Sequence, residues 1–326
     1  MGLAEWKTLL RRCGAALRYA MLRPLNGLLI AAIALFATQP YYSLENRKAA
    51  PADPVSIKLN ESRESPLDLE VGGELTGLAR GSTRYISREA LLALPQTTFK
   101  VSDDSNFKGG AGVSGVSLEE LARALSSSPL NVLVVAICND QYRANYSKEY
   151  VAAHAPLLVL KINGQPPEGW PKDSEGHGWD MGPYLISHAK FTPSFKIFSN
   201  AEEAQIPWGV VRLEFRNEEK VFGAIAPRGP HASDEIVKAG FTIARQNCFR
   251  CHNMGEEGGT KAGRPWPVLS AWAEASPESF AGYVRNPKAK NPHAQMPGNP
   301  EYDGETIRAL TAYFRTFSAG AKGEKP

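Results

Sequence analysis

The sequence predicts a multidomain protein with an N-terminal membrane-anchor helix, a central α+β domain and an all-α C-terminal domain. Three observations carry this prediction: an arginine-flanked apolar run near the N-terminus, short apolar runs mixed with amphipathic segments in the middle, and helical periodicity toward the C-terminus. The length of 326 residues agrees, because one core rarely grows much beyond about 250–300 residues. The net charge of +3 is too balanced to indicate nucleic-acid binding.

Residues 1–42 are predicted to be a signal or anchor helix. Four arginines, the last of them Arg23, precede an apolar run over residues 25–37. This run is short for a membrane span of about 20 residues, and its length alone fits a signal peptide. Its small-x-small pattern at residues 32–34 lies inside the run, and two interfacial tyrosines follow, which favours an uncleaved anchor. We therefore expect the protein on the periplasmic side of a bacterial inner membrane, or free in the periplasm if the segment is cleaved.

The middle of the chain is predicted to hold a linker and an α+β domain. Residues 43–66 are polar and dotted with proline, which is typical of a linker from the membrane. The α+β domain is expected over residues 67–225. Its three short apolar runs, rich in β-branched residues, predict buried strands over residues 131–138, 157–162 and 208–215.

Local turn and cap signals complete the prediction for this domain. Ser117 begins a capping box because Glu120 follows three residues later, and an amphipathic helix comes next. Ser87 begins a second short helix. The dipeptide Asn163-Gly164 predicts a turn.

A second boundary is predicted at residues 226–232, with an all-α domain over residues 233–320. Ser233 is expected to cap the first helix of this domain, and the last helix is expected to start near Asp303. Both helices carry apolar residues at helical spacing, so each is expected to bury one face.

The stretch QNCFRCHNM places Cys248 and Cys251 three positions apart, with His252 directly after the second. C-x-x-C-H is the haem-attachment pattern, in which two thioether bonds fix the porphyrin and the histidine then faces the iron. A redox dithiol would lead a helix after a strand, whereas this pair follows a helix. A zinc site would need a second ligand pair, and no other cysteine lies in this domain. The motif therefore predicts one covalent haem c.

The opposite iron ligand is predicted to be Met296. Of the five methionines, two lie in the anchor segment, one lies in the α+β domain, and Met254 is too close to His252 to swing round the ring. His293, three residues before Met296, is the competing ligand. An open position, which would suit a haem-based sensor, is the third alternative. Methionine opposite histidine raises the reduction potential and suits electron transfer.

The C-terminal domain resembles a class I c-type cytochrome. The resemblance is carried by Gly240-Phe241 in the first helix, the C-x-x-C-H motif, a WPVL segment, a SPESFAGYVRNP helix, the methionine loop and the last helix. It implies that the first and last helices cross, with the glycine admitting an aromatic side chain. It also implies that the Pro267 carbonyl accepts the second N–H of His252. Trp266 departs from the glycine that the family has there.

The α+β domain resembles the molybdopterin-binding domain of sulfite-oxidase-type oxidoreductases. The resemblance rests on the order of weak motifs, among them VVAICNDQYRANYS and LLVLKINGQPP. It implies that Cys138, at the end of a strand, takes the place of the molybdenum ligand. The Cys-Asn-Asp-Gln context departs from the enzymes, and the segments that hold the pterin phosphate are not recognisable. Smaller relatives keep the fold without the cofactor, so a buried structural thiol is the alternative for Cys138.

Two functions follow from these resemblances. The first is an exported monohaem cytochrome that carries electrons within, or to, a respiratory or photosynthetic membrane complex. Redox proteins would be its partners, the N-terminal helix would hold it at the membrane, the α+β domain would serve as a docking module, and no residue would be catalytic. The second is a molybdenum-dependent oxidoreductase of sulfite-dehydrogenase type that passes electrons from molybdenum at Cys138 to its own haem.

Overall fold

The computed structural model describes most of the chain after residue 56. The described residues are 57–79, 81–102, 107, 109–125, 132–170, 181–189 and 205–318. The anchor helix predicted over residues 1–42 lies outside them. Within the described residues, no helix is both long enough and apolar enough to cross a membrane.

A mixed sheet of nine strands, counted over the described residues, frames the N-terminal part of the structure. The strands are β1 Leu69–Gly73, β2 Thr83–Ile86, β3 Thr97–Val101, β4 Ala111–Ser117, β5 Val132–Cys138, β6 Arg143–Tyr146, β7 Pro156–Ile162, β8 Tyr184–His188 and β9 Trp208–Asn217. Hydrogen-bonded neighbours follow the path β2-β1-β9-β8-β7-β4-β3, and β5 pairs with β9 and β6. The β1–β9 pair is parallel and the other pairs are antiparallel.

Strand β9 is the branch point of this sheet. Both β1 and β8 pair with it, and β5 pairs with it from Val132↔Asn217 to Cys138↔Val210. The position explains its apolar sequence, because Leu213 and Phe215 are fully buried. The three predicted strands correspond to β5, β7 and β9.

Nine α-helices lie within the described residues, most of them after the sheet. They are α1 Arg88–Ala93, α2 Leu118–Ala124, α3 Lys148–His154, α4 Glu218–Gly223, α5 Glu235–Asn247, α6 Trp266–Ala275, α7 Pro277–Arg285, α8 Pro287–Lys290 and α9 Gly304–Arg315. The predicted cap Ser117 is confirmed, and Ser87 and Asp303, where two further helices were predicted to begin, are also N-caps. Each side-chain oxygen accepts a hydrogen bond from the N–H three residues later, at 3.2, 3.0 and 2.8 Å.

The predicted cap of α5 is wrong by one residue. Asp234, not Ser233, precedes the helix, because a turn in which the Asp234 N–H donates to the His231 carbonyl delays its start. The Asp234 carboxylate contacts His231 Nδ1 at 3.0 Å.

Strand β5 separates two cores, because successive side chains point to opposite faces of a sheet. Val134, Ala136 and Cys138 belong to a core built by the sheet and helices α1–α3. Leu133, Val135 and Ile137 belong to a second cluster, here called the shared core. Its other buried members include Val221, Phe222, Ile225, Val237, Ile243, Phe249, Trp266, Leu310, Tyr313 and Phe314. The C-terminal helices therefore cover one face of the sheet.

Helices α5 and α9 cross at Gly240. A Cβ atom added to Gly240 would lie 2.0 Å from the Ala309 carbonyl oxygen and 2.7 Å from the Tyr313 Cβ. Such distances exclude any side chain, so only glycine allows this approach. The predicted crossing, with an aromatic residue of the last helix against the glycine, is confirmed.

The Tyr313 hydroxyl ties the helices to the end of the sheet region. It donates a hydrogen bond to the Ile225 carbonyl at 2.6 Å and accepts one from Trp266 Nε1 at 3.2 Å. Both Tyr313 and Trp266 are fully buried. Trp266, the predicted departure from the cytochrome pattern, thus has a place in the shared core.

Candidate functional site

The C-x-x-C-H residues form a tight turn directly after α5. The Cys248 N–H donates to the Ala244 carbonyl at 2.9 Å, which completes the helix. The Cys248 carbonyl then accepts hydrogen bonds from the N–H groups of Cys251 and His252, at 3.2 and 3.0 Å. Burial raises the pKa of Cys251. The turn gathers two thiols and an imidazole, as the motif predicts.

One hydrogen bond fixes the tautomer of His252. Its Nδ1 lies 2.6 Å from the Arg264 carbonyl oxygen. A carbonyl can only accept, so Nδ1 carries the proton and the Nε2 lone pair is left available. Burial lowers the pKa of His252, which favours the neutral ring. The imidazole is therefore prepared to bind a metal through Nε2.

The acceptor of this bond corrects the prediction for Pro267. Pro267 is the second residue of α6, and carbonyls inside a helix point along its axis toward the next turn. Arg264 lies in the irregular segment just before the helix, where its carbonyl is free to face His252. The acceptor therefore lies three residues before Pro267, outside helix α6.

A cavity lies beside the attachment turn. Side chains from the end of α5, from α6, α7 and α9 and from the methionine loop surround it. The lining residues are Cys248, His252, Arg264, Leu269, Trp272, Phe280, Tyr283, Val284, Met296 and Phe314. The walls are mainly apolar and aromatic, so a bound group would be largely shielded from water.

Met296, and not His293, reaches this cavity. Met296 is partly buried and lines the cavity together with His252. His293 is exposed, and its N–H donates to the Asn291 side chain at 3.1 Å. The placement supports the predicted order of the two candidates, while the ligand assignment itself stays a prediction.

Arg264 is a site residue that the sequence reasoning missed. Its guanidinium carbon lies 5.2 Å from the Trp272 ring centre and 5.1 Å from the Tyr283 ring centre. Stacking between two aromatic faces holds the positive charge at the cavity wall. A cation just before the WPVL segment is the only signal in the sequence, and it does not distinguish Arg264 from an ordinary surface arginine.

Cys138 lies where the predicted alternative of a core thiol places it, while its role as a molybdenum ligand stays a prediction. It ends β5, is 2% exposed and belongs to the core of the sheet. Burial raises the pKa of Cys138, and the charge of Asp140 adds to this effect. Without a bound metal, such surroundings favour the neutral thiol. Among the described residues, no group of three or more His, Cys, Asp or Glu side chains could hold a metal ion.

A family model described as cytochrome C oxidase, cbb3-type, subunit III, matches residues 235–314. The matched segment begins with the first residue of α5 and ends within α9, so it contains the attachment turn and Met296. No curated protein matches this chain.

One solved structure with partial similarity is the sulfane dehydrogenase SoxCD from Paracoccus pantotrophus. The similarity covers 53% of this chain and 45% of that chain, at 14% sequence identity and a TM-score of 0.32. The present chain thus spans less than half of that one. A similarity of this size does not establish the fold of the α+β domain, so its resemblance to the molybdopterin fold stays a prediction.

The residues around the cavity fit the group that c-type cytochromes carry. Two thiols can form two thioether bonds, the neutral imidazole and the Met296 sulfur can bind iron, and apolar walls can enclose a porphyrin. Residues 235–314 are a c-type cytochrome domain, which implies a covalently bound haem c.

Proposed function

We propose that this protein is a monohaem c-type cytochrome that carries single electrons between redox protein partners. The observation that carries the proposal is the apolar cavity shared by His252 and Met296, next to the attachment turn. The match of this region to a cytochrome family supports the same conclusion.

Each site residue has a defined part in this proposal. Cys248 and Cys251 would hold the porphyrin through thioether bonds, while His252 Nε2 and the Met296 sulfur would bind the iron. The haem, when bound, supplies one-electron chemistry by alternating between the ferric and ferrous states. The Arg264 carbonyl orients His252 and raises its basicity as a ligand. The apolar walls limit access of water.

Haem staining of the denatured polypeptide tests covalent attachment. The full chain is made in cells that mature c-type cytochromes, and it is separated on a denaturing gel. We expect a stained band for the wild type and none for the variant in which Cys248 and Cys251 are both alanine. A Cys138→Ala variant serves as the control and should stain fully. An unstained wild type would contradict the proposal.

A comparison of Met296→Ala with His293→Ala tests the iron ligand. We expect Met296→Ala to lose the sulfur-to-iron absorption band and to lower the reduction potential, because a softer ligand that stabilises ferrous iron is removed. His293→Ala should leave both unchanged. An unchanged spectrum in Met296→Ala would favour an open position or His293.

The cellular setting is the finer part of the proposal. We propose an exported protein, held at the periplasmic side of the inner membrane by residues 1–42 and serving a respiratory or photosynthetic complex. The arginine-flanked apolar run supports export and anchoring. Fractionation followed by detergent extraction is expected to find the protein in the membrane. Recovery in the soluble periplasmic fraction would indicate a cleaved signal instead.

Elemental analysis separates the carrier from the molybdenum enzyme. We expect one iron per chain and no molybdenum in protein purified from cells supplied with both metals. Stoichiometric molybdenum would overturn the reading of Cys138 as a core thiol and support the oxidoreductase.

A further inference from the structure

The segment that follows the attachment turn is hydrogen-bonded to the sheet. The Arg143 N–H, at the start of β6, donates to the Arg250 carbonyl at 2.9 Å. The Thr260 N–H donates to the Gln141 carbonyl at 3.2 Å. We call these two bonds, together with the side-chain contacts between residues 139–143 and 250–261, the clasp. It joins the sheet to Arg250, one of the two residues between the cysteines of the motif.

A network of charged groups lies next to the clasp and includes Glu257. The Glu257 carboxylate lies 2.5 Å from Arg216 on β9, and Arg216 also contacts Glu214 at 2.9 Å. Arg143 Nη1 donates to the Glu256 carbonyl at 3.3 Å. Burial lowers the pKa of Arg143, and the carboxylates of Glu214 and Glu257 oppose this effect. The Glu257 side chain is only 18% exposed. Removal of one charge from such a partly dry network leaves its partners uncompensated.

The backbone between Glu257 and the attachment turn has little freedom. Glu257 and Met254 exchange two backbone hydrogen bonds, at 2.8 and 3.2 Å. A Cβ atom at Gly258, which has a φ of +87°, would lie 2.5 Å from the Phe249 ring. The next N–H, of Gly259, donates to the Phe249 carbonyl at 2.9 Å. Phe249 lies between the two cysteines, so a displacement of Glu257 would be transmitted to the turn.

We propose that Glu257 is a positioning residue for the haem-attachment turn. By pairing with Arg216, it lets the sheet fix the orientation of Cys251 and His252 relative to the cavity formed by the helices. The inference rests on the proposed function, because the orientation of the turn matters to the iron only if haem is attached there. It assigns the sheet a part in setting the reduction potential, beyond any docking of partners.

The test compares Glu257→Gln with Glu256→Gln in the haem-loaded full chain. Both variants remove one negative charge from adjacent positions, but the Glu256 side chain is exposed and forms no hydrogen bond or ion pair with the described residues. Hydrogen exchange of the Arg143 and Thr260 amides reports the clasp directly. We expect at least about tenfold faster exchange in Glu257→Gln and wild-type exchange in Glu256→Gln.

The reduction potential distinguishes a positioning role from a purely structural one, because a loss of stability alone would not change it. We expect Glu257→Gln to shift it by more than Glu256→Gln does, because the second variant reports the loss of charge alone. Arg216→Gln should reproduce the faster exchange, and the double variant with Glu257→Gln should add nothing further, since both remove one interaction.

Equal exchange rates and equal potentials in the two glutamine variants would overturn the inference. If Glu257→Gln does not fold, Glu257→Asp is measured in the same way, with at least about threefold faster exchange expected because the shorter side chain draws back from Arg216. Failure of the proposed function shows itself separately, as a wild type without covalent haem in which the exchange comparison can still be made.

Discussion

The two faces of strand β5 differ in what covers them. One face is buried by the sheet's own elements, whose core includes Val134 and Tyr146 and needs no residue after Phe215. The other face contributes Val135 and its neighbours to the shared core, which joins them to α5, α6 and α9. The sheet therefore has a complete core of its own, whereas the cytochrome helices complete theirs with sheet residues. A domain of about 80 residues buries little surface alone, which gives this dependence a physical reason.

The largest effect on stability is expected at the tightly packed crossing of helices α5 and α9. In Gly240→Ala, the new methyl group meets the Ala309 carbonyl, and we expect a loss of about 3 kcal/mol in the free energy of unfolding. Gly282→Ala, in helix α7, is the control, because its nearest neighbour would be the Lys290 side chain at 3.5 Å. Denaturant unfolding followed by haem absorbance measures both. Equal midpoints would mean that the helix crossing is not a tight constraint.

Adjacent valines on β5 sharpen the comparison between the two cores. Val134 and Val135 are 4% and 3% exposed and point to opposite faces. Each alanine variant is expected to cost about 2 kcal/mol of unfolding free energy. Only Val135→Ala should also speed hydrogen exchange in α5 and α9, because only its cavity opens into the shared core. Faster exchange of those helices in Val134→Ala would contradict the division.

A pH titration tests a buried histidine on the sheet side. His188 on β8 is fully enclosed beside Tyr146 and Tyr150, and burial lowers the pKa of His188 well below its ordinary value. His188 of the unfolded chain therefore gains a proton as the pH falls through about 6.5, whereas His188 of the folded chain stays neutral there. Stability is intact above that pH and falls below it, by up to about 1.4 kcal/mol for each pH unit.

His188→Phe removes this titration and should flatten the pH dependence between pH 6.5 and 5. Urea unfolding at several pH values measures the slope. A steep slope that persists in His188→Phe would assign the acid sensitivity to another group.

The smallest effect concerns the outer end of the clasp. Asp140 and Lys261 form an ion pair, and each side chain is about one-third exposed. Water and salt screen such pairs, so we expect a coupling of about 0.2–1 kcal/mol from a double-mutant cycle with Asp140→Asn and Lys261→Met. High salt should reduce it. A coupling well above this range would mean that the clasp depends on its surface pair more than on Glu257.

Local patterns predicted the elements of this molecule better than its interfaces. Strands β5, β7 and β9, the cap Ser117 and the start of the last helix near Asp303 follow from apolar runs and polar capping residues, which act over a few residues. The continuous apolar run of β5 predicts burial on both faces, but nothing in the strand says that helices about a hundred residues later cover one of them. The shared core is set by long-range packing, which periodicity does not encode.

The candidate site shows the same limit. Cys248, Cys251, His252 and Met296 are recognisable because their chemistry dictates residue type and spacing. The acceptor of the His252 hydrogen bond is not, since it depends on where α6 begins, and that start moves the acceptor from Pro267 to Arg264. Arg264 and Glu257 were missed for a related reason: a charged residue in a loop looks the same in sequence whether it is solvated or packed.

The Tyr313 hydroxyl has a consequence for how other proteins meet this one. Its bond to the Ile225 carbonyl holds the point at which the chain leaves the sheet for the helices. A carrier whose haem-bearing part swung freely would lose rotational freedom on each encounter, at a cost to affinity. Here that freedom is already lost during folding. A partner protein therefore meets one preformed surface, to which both the sheet and the C-terminal helices contribute.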